Sequence, residues 1–171
     1  TYTNLYEPGT IIRATAPTGA PSVQTAYYYD PATGRVNRSP VTRASGTSYV
    51  ANRKYDYDGA GNLTRLDDDP GTNRDTQCFT YDHQRRLTQA WTPSSSDCTQ
   101  APSSGAIGGP AGYWHSWSFG TPTDNTGRVG NRLAQTEHGT PSGDVTTTYA
   151  YPAAGSAHPH ALTSHSRTDT N

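Results

Sequence analysis

Apolar and polar positions alternate along short stretches of this chain, and each stretch runs into a polar turn. Tyr27 and Tyr29, Tyr55 and Tyr57, and Phe79 and Tyr81 are aromatic pairs set two residues apart. In an extended chain such pairs lie on one face, because strand side chains alternate with a period of two. Every pair is followed by Asp: Asp30, Asp58 and Asp82. Turn residues come next, Pro31-Ala32-Thr33-Gly34, Gly59-Ala60-Gly61-Asn62 and His83-Gln84-Arg85-Arg86, and then an apolar residue, Val36, Leu63 or Leu87. The pattern predicts strand, tight turn, returning strand in each copy. Gly and Pro interrupt almost every other window, so no long helix is expected. The stretch from Thr72 to Thr92 is free of both, yet it too reads with a period of two, Phe79 and Tyr81 on one face and Cys78 and Thr80 on the other. Leu63 with Arg65, and Leu87 with Trp91, are expected to share a face on their returning strands.

Self-similarity at this scale marks an array of stacking units. Two looser copies follow, at Trp117-Ser118-Phe119-Gly120 and Tyr149-Ala150-Tyr151-Pro152, and a worn one stands at Tyr6-Glu7-Pro8-Gly9. Three parts are expected: a leading strand region over 1–26, the repeat array over 27–151 with a Ser/Pro/Gly-rich insertion at 92–112, and a polar trailing segment over 152–171. In each turn the Asp side chain can accept a hydrogen bond from the backbone two residues on. Gly61 or Asn62 can take the left-handed conformation that closes a short hairpin.

Composition changes the picture in one respect. Hydrophobic residues make up 30% of the chain, which alone would point to disorder. A net charge of -1 and 12 Tyr with 3 Trp argue for order, with a core built from Tyr rather than Leu. The same near-neutral charge gives no case for nucleic acid, and no apolar run is long enough for membrane insertion as a helix. A chain that begins Thr1-Tyr2-Thr3 and holds no Met is expected to be a fragment or a processed product.

Cys78 and Cys98 form no Cys-x-x-Cys motif and bracket one loop. That suits a disulfide in an oxidising compartment, the alternative being two free buried thiols.

Little chemistry is legible. Asp67, Asp68, Asp69 and Asp75 lack the spacing of a calcium loop, and His158, His160 and His165 read as exposed tail residues rather than metal ligands. Ser, His and Asp are plentiful, but no Gly-x-Ser-x-Gly elbow occurs, and His115 lies beside no acid. No cofactor site and no enzyme activity are expected. Aromatic rings can stack on sugars. Trp91, Trp114 and Trp117 stand off or at the edge of the regular pattern, so they are the candidates for glycan stacking in a carbohydrate-binding or cell-adhesion module, against a structural role in cross-strand pairing.

Tyr29-Asp30 with Gly34-Arg35-Val36, and Tyr57-Asp58 with Gly61-Asn62-Leu63, resemble the YD-repeat, or Rhs-repeat, family. Tyr81-Asp82 with Arg85-Arg86-Leu87 keeps the pair but lacks the Gly, and the fourth unit puts Phe119-Gly120 in place of Tyr-Asp before Gly127-Arg128-Val129-Gly130-Asn131-Arg132. The wording around Cys78 to Pro93 is similar to the actinobacterial branch. The resemblance implies an all-β fold, tandem antiparallel hairpins forming an arc of a spiralling sheet, as in the shells of teneurins and Tc toxins. It also implies a secreted or cell-surface protein whose partners are adjacent repeats of the parent chain and an enclosed C-terminal toxin domain. The family's self-cleaving aspartyl site is not carried over, because Asp30-Pro31 and Asp69-Pro70-Gly71 do not match its motif.

Overall fold

The computed structural model describes residues 9–13, 23–43, 48–120, 130–140, 143–153 and 155–170. The worn copy at Tyr6 and the turn residues Gly127, Arg128 and Val129 lie outside them. The protein is all-β: twelve strands in one antiparallel sheet, with a single 3-10 turn at Ser104–Ala106 among the described residues. The strands are β1 Thr10–Arg13, β2 Val23–Ala26, β3 Tyr28–Tyr29, β4 Val36–Arg43, β5 Tyr49–Tyr57 and β6 Leu63–Asp68, followed by β7 Asp75–Tyr81, β8 Leu87–Trp91, β9 Trp114–Phe119, β10 Arg132–Thr140, β11 Gly143–Ala150 and β12 Ser164–Asp169. They lie side by side in chain order, except that β2 and β3 both pair with β4. Val23–Ala26 and Tyr28–Tyr29 thus act as one strand interrupted at Tyr27, whose N–H turns to the carbonyl of Gly9.

The expected hairpins stand where the Tyr-Asp pairs stand, with β3–β4, β5–β6 and β7–β8 each folding back at its Asp. The trailing segment is not only a polar tail, since Ser164–Asp169 adds the last strand of the sheet.

One feature of the ladder was not legible. Tyr29 pairs with Val36 but Tyr28 pairs with Arg38; Tyr57 pairs with Leu63 but Asp56 with Arg65; Tyr81 pairs with Leu87 but Thr80 with Gln89. The fourth unit repeats it, Phe119 with Arg132 and Ser118 with Ala134. Each returning strand therefore carries one extra residue directly after its first: Asn37, Thr64, Thr88 or Leu133. Such a bulge shifts the alternation by one. The expectation that Leu63 shares a face with Arg65, and Leu87 with Trp91, is corrected accordingly. Leu63 and Leu87 stay on the face of the paired aromatics, whereas Arg65 and Trp91 fall on the opposite face, Trp91 opposite Cys78.

The core also differs from the expected one. The buried apolar residues are Ala51, Cys78, Ala90, Trp91 and Val145, and no described tyrosine is among them. Tyrosine rings instead lie half-covered across the sheet, and Tyr28 and Tyr49 are exposed. Pro40 and Pro93 are buried as well, and the polar residues Ser39, Asn52, Asp67, Thr76, Thr92 and Asn131 lie buried beside them, so much of what this hydrophilic chain buries is polar.

Candidate functional site: the repeat turn and the two faces of the sheet

The turn is built by its Asp. The N–H of Asp30, Asp58 and Asp82 donates to the carbonyl of Arg35, Asn62 and Arg86, at 2.8, 3.0 and 3.0 Å. Each Asp carbonyl in turn accepts from the N–H of Gly34, Gly61 or Arg85, all at 2.9 Å. These three donors are the left-handed residues, with φ of 68, 91 and 62°. The copy without Gly thus pays the steric cost of holding Arg85 there.

The carboxylates are occupied by the same turns. Asp30 Oδ1 accepts from the N–H of Ala32 at 3.1 Å and from Thr33 N and Oγ1 at 2.8 and 2.9 Å. Asp58 accepts from the backbone and side-chain amides of Asn62 at 2.9 and 2.8 Å. Asp82 accepts from the N–H of Gln84 and Arg86 at 2.8 and 2.9 Å and pairs with Arg86 Nε at 2.6 Å. All three titrate below the ordinary aspartate value. For Asp30 the first cause is the Thr33 hydroxyl, for Asp58 the Asn62 side chain; for Asp82, burial acts upward and is outweighed by the backbone and side chain of Arg86. Carboxylates so engaged are turn scaffolding.

Successive units are stitched by the residues around the turn. Tyr57 Oη donates to the carbonyl of Val36 in the preceding hairpin at 2.9 Å, and Tyr151 Oη donates to that of Arg132 at 3.1 Å. Val36 and Arg132 hold the same place, opposite the second aromatic of their own unit. The residue just before that place reaches forward as well: Arg35 lies over the Tyr57 ring at 5.6 Å, and Arg86 over Phe119 at 4.4 Å. Asp30, Thr33, Arg35, Tyr55, Tyr57 and Asp58 together line an open cleft of about 450 Å³ between the first two turns.

On the opposite face the insertion folds back over β7. Cys78 and Cys98 form a disulfide, with Cα atoms 5.4 Å apart and Cys78 fully buried. The base of the loop is closed by Thr92 and Tyr113, the N–H of Thr92 donating to the Tyr113 carbonyl and the N–H of Tyr113 to Thr92 Oγ1, and by the Pro93–Ile107 bridge. Nearby Asp67 is 1% exposed. It accepts from Arg74 Nε at 2.7 Å, Arg74 Nη2 at 2.9 Å and Thr76 Oγ1 at 2.8 Å, with Arg65 Nη2 at 3.3 Å. Burial pushes its carboxyl upward, and these partners together bring it below the ordinary value.

The three tryptophans are separated by this arrangement. Trp91 is 3% exposed, so its ring offers no face to a sugar. Trp114 stacks on His138, centroids 3.8 Å apart, and its indole N–H donates to Gln89 Oε1 at 3.3 Å. Trp117 lies on the other face, donates to Gln135 Oε1 at 3.2 Å, and borders a shallow cleft with Leu87, Phe119, Arg132 and Tyr151. Among the described residues no group of three or more His, Cys, Asp or Glu is arranged to hold a metal ion.

Sequence reasoning missed one constellation. Ser116 Oγ lies 2.8 Å from His138 Nε2, and His138 Nδ1 lies 2.8 Å from Asp144 Oδ2. The three residues come from β9, β10 and β11, so no local motif announces them.

No protein-family model matches the chain, and no curated protein sequence matches it. Solved structures do. The chain is similar to TcdB2-TccC3 with a TM-score of 0.59 and 20% identity, and to TcdB2-TccC3-Cdc42 with a TM-score of 0.58 and 20% identity. It is similar, with a TM-score of 0.59 and 20% identity, to the Tc holotoxin pore of Photorhabdus luminescens. Each match covers 88% of this chain and 7% of the larger one, so the chain spans a small part of the length of the structures it matches. The resemblance read from the Tyr-Asp pairs therefore holds at the level of fold: this chain is built as a stretch of the TcdB2-TccC3 Tc toxin is built.

Proposed function

We propose that this chain is a wall segment of a secreted or cell-surface YD-repeat protein, part of a hollow β-shell around a C-terminal toxin or other cargo. The observation that carries the reading is the stitch between units. Tyr57 to Val36 and Tyr151 to Arg132 link two of the hairpins to the ones before them through the same position. A link of that kind propagates a sheet rather than closing a domain, and strand twist makes a long sheet curl. The Cys78–Cys98 disulfide supports an extracytoplasmic location. The matched fold supports the comparison with a toxin assembly.

In this reading the repeat residues Tyr29, Asp30, Gly34, Tyr57, Asp58, Gly61, Tyr81 and Asp82 serve the wall. The chief partners are neighbouring repeats of the parent chain, with the cargo against one face. The wall role itself asks for no catalysis and no cofactor. Cryo-EM of the parent protein tests it: the expected result is an enclosed volume bordered by residues 27–151. A solid two-layer sandwich at those residues would overturn the reading. Glycan binding at Trp91, Trp114 or Trp117 gains no support from the packing of Trp91 and Trp114, whose rings are already engaged.

A further inference from the structure

The hydrogen-bonded chain from Ser116 through His138 to Asp144 has the connectivity of a nucleophile, a general base and an orienting carboxylate. We propose that these three residues form a nucleophilic relay on the face of the sheet, hydrolysing small carboxylic esters that have a good leaving group.

The placement follows from register. Ser116 sits opposite Thr136, two residues before His138 on β10, and Glu137 sits opposite Val145, which follows Asp144 on β11. Because side chains two apart share a face, β9, β10 and β11 present Ser116, His138 and Asp144 in a row on one side. The imidazole is held by two neighbours, one of them anchored in turn. Trp114 stacks on it at 3.8 Å, Asp144 Oδ2 takes Nδ1, and Asp144 Oδ1 is itself fixed by the N–H of Gly139 at 3.0 Å. The His138 side chain is 15% exposed, enough to leave the relay reachable from solvent. Asp144 titrates below the ordinary aspartate value, first through the Gly139 N–H and then through His138, so it is ionised at neutral pH. An ionised Asp144 accepts from Nδ1–H. In the neutral ring with its proton on Nδ1, Nε2 is the lone-pair nitrogen, placed to take the proton of the Ser116 hydroxyl.

The step balances within these groups and water. Ser116 Oγ bonds to the acyl carbon as its proton passes to Nε2. The bond from that carbon to the leaving alcohol oxygen breaks, and the alcohol departs with the proton from Nε2. Water then adds to the acyl carbon, giving a proton to Nε2. The Oγ–carbon bond breaks, the proton returns to Oγ, and a carboxylic acid is released.

The substrate class follows from what stands beside Ser116. It lies in mid-strand, with β8 and β10 paired on its two sides, so no pair of backbone amides is aimed at a developing oxyanion. Gln89 lies opposite Ser116 on β8, and its Oε1 is taken by Trp114 Nε1, which leaves the Nε2 amide as the oxyanion donor. One side-chain donor is weaker than a preorganised pair. Esters with stable leaving groups are therefore within reach, and amides are not. The proposal does not depend on the shell reading.

The test uses the full chain with its disulfide intact, p-nitrophenyl acetate as substrate and a fluorophosphonate as covalent probe. Expected are turnover above the buffer rate and probe attachment at Ser116 by peptide mapping. Turnover should fall about 100-fold in Ser116→Ala and in His138→Ala, with Ser118→Ala, two residues along the same face, unchanged. Nitrogen NMR of His138 should show the Nδ1-protonated tautomer in the native chain and a shift toward the Nε2-protonated one in Asp144→Asn, a change that loss of a merely structural bond would not direct. No rate above buffer, equal rates in Ser116→Ala, or a probe mapped elsewhere would overturn the proposal. Probe mapping on the native chain decides even where a variant fails to fold.

Discussion

The hydroxyl of Tyr57 donates a 2.9 Å hydrogen bond to the main-chain carbonyl of Val36, one hairpin earlier. Neither residue belongs to the other's turn, so the bond reports directly on how units are joined. Burial pushes the Tyr57 hydroxyl upward in pKa, keeping it a donor throughout the physiological range. Tyr57→Phe removes the donor and leaves the ring. Expected is a loss of about 1 kcal/mol in urea unfolding, and a similar loss in Tyr151→Phe. Unchanged midpoints in both variants would show that the joint is carried elsewhere.

Gly61 is constrained twice over. Its φ is 91°, and a Cβ added there would meet the guanidinium of Arg35, which reaches over from the preceding turn. Gly61→Ala should cost about 1–2 kcal/mol for the left-handed backbone alone, with the collision added. In an Arg35→Ala background the collision disappears and the backbone cost remains. A double-mutant cycle measured by chemical denaturation separates the two, and strict additivity would show that Arg35 does not press on Gly61.

Acid should loosen the turns together. Asp30, Asp58 and Asp82 all have folded-state pKa values below the 3.8 of a free aspartate. A depressed carboxylate stabilises the fold fully above its unfolded value, and that contribution is lost as pH falls through the lower, folded value. Thermal unfolding followed from pH 7 to pH 2 should therefore hold steady down to about pH 4 and then drop. Asp82→Asn should start less stable and fall less steeply. A variant that follows the native pH curve in parallel would rule out this linkage for Asp82.

The Cys78–Cys98 bond closes a loop with a sequence separation of 20. Replacing both residues with Ser should lower stability by about 3 kcal/mol and release the insertion from Cys78. Intact-mass analysis of the native chain under alkylation should find no reactive thiol, and limited proteolysis of the double variant should cut first within 92–112. Two alkylatable thiols in the native chain would contradict the pairing.

The sequence alone determined what lies within a few residues along the chain. Each Tyr-Asp pair placed a hairpin, because Asp58, Gly61 and Asn62 satisfy one another's hydrogen bonds without help from the rest of the molecule. The Cys78–Cys98 pairing was legible for a related reason, two cysteines bracketing one loop. The tertiary structure decided everything that depends on register. A bulge at Thr88 sends Trp91 to the buried side with Cys78 rather than to the side of Leu87, and a period-two reading has no means of seeing an extra residue whose partner lies on another strand. The same holds for Ser116, His138 and Asp144, which no spacing in the chain brings together. They meet because three strands lie side by side in a ladder whose alignment is fixed by backbone pairing, and side-chain identity at one position carries little information about that alignment.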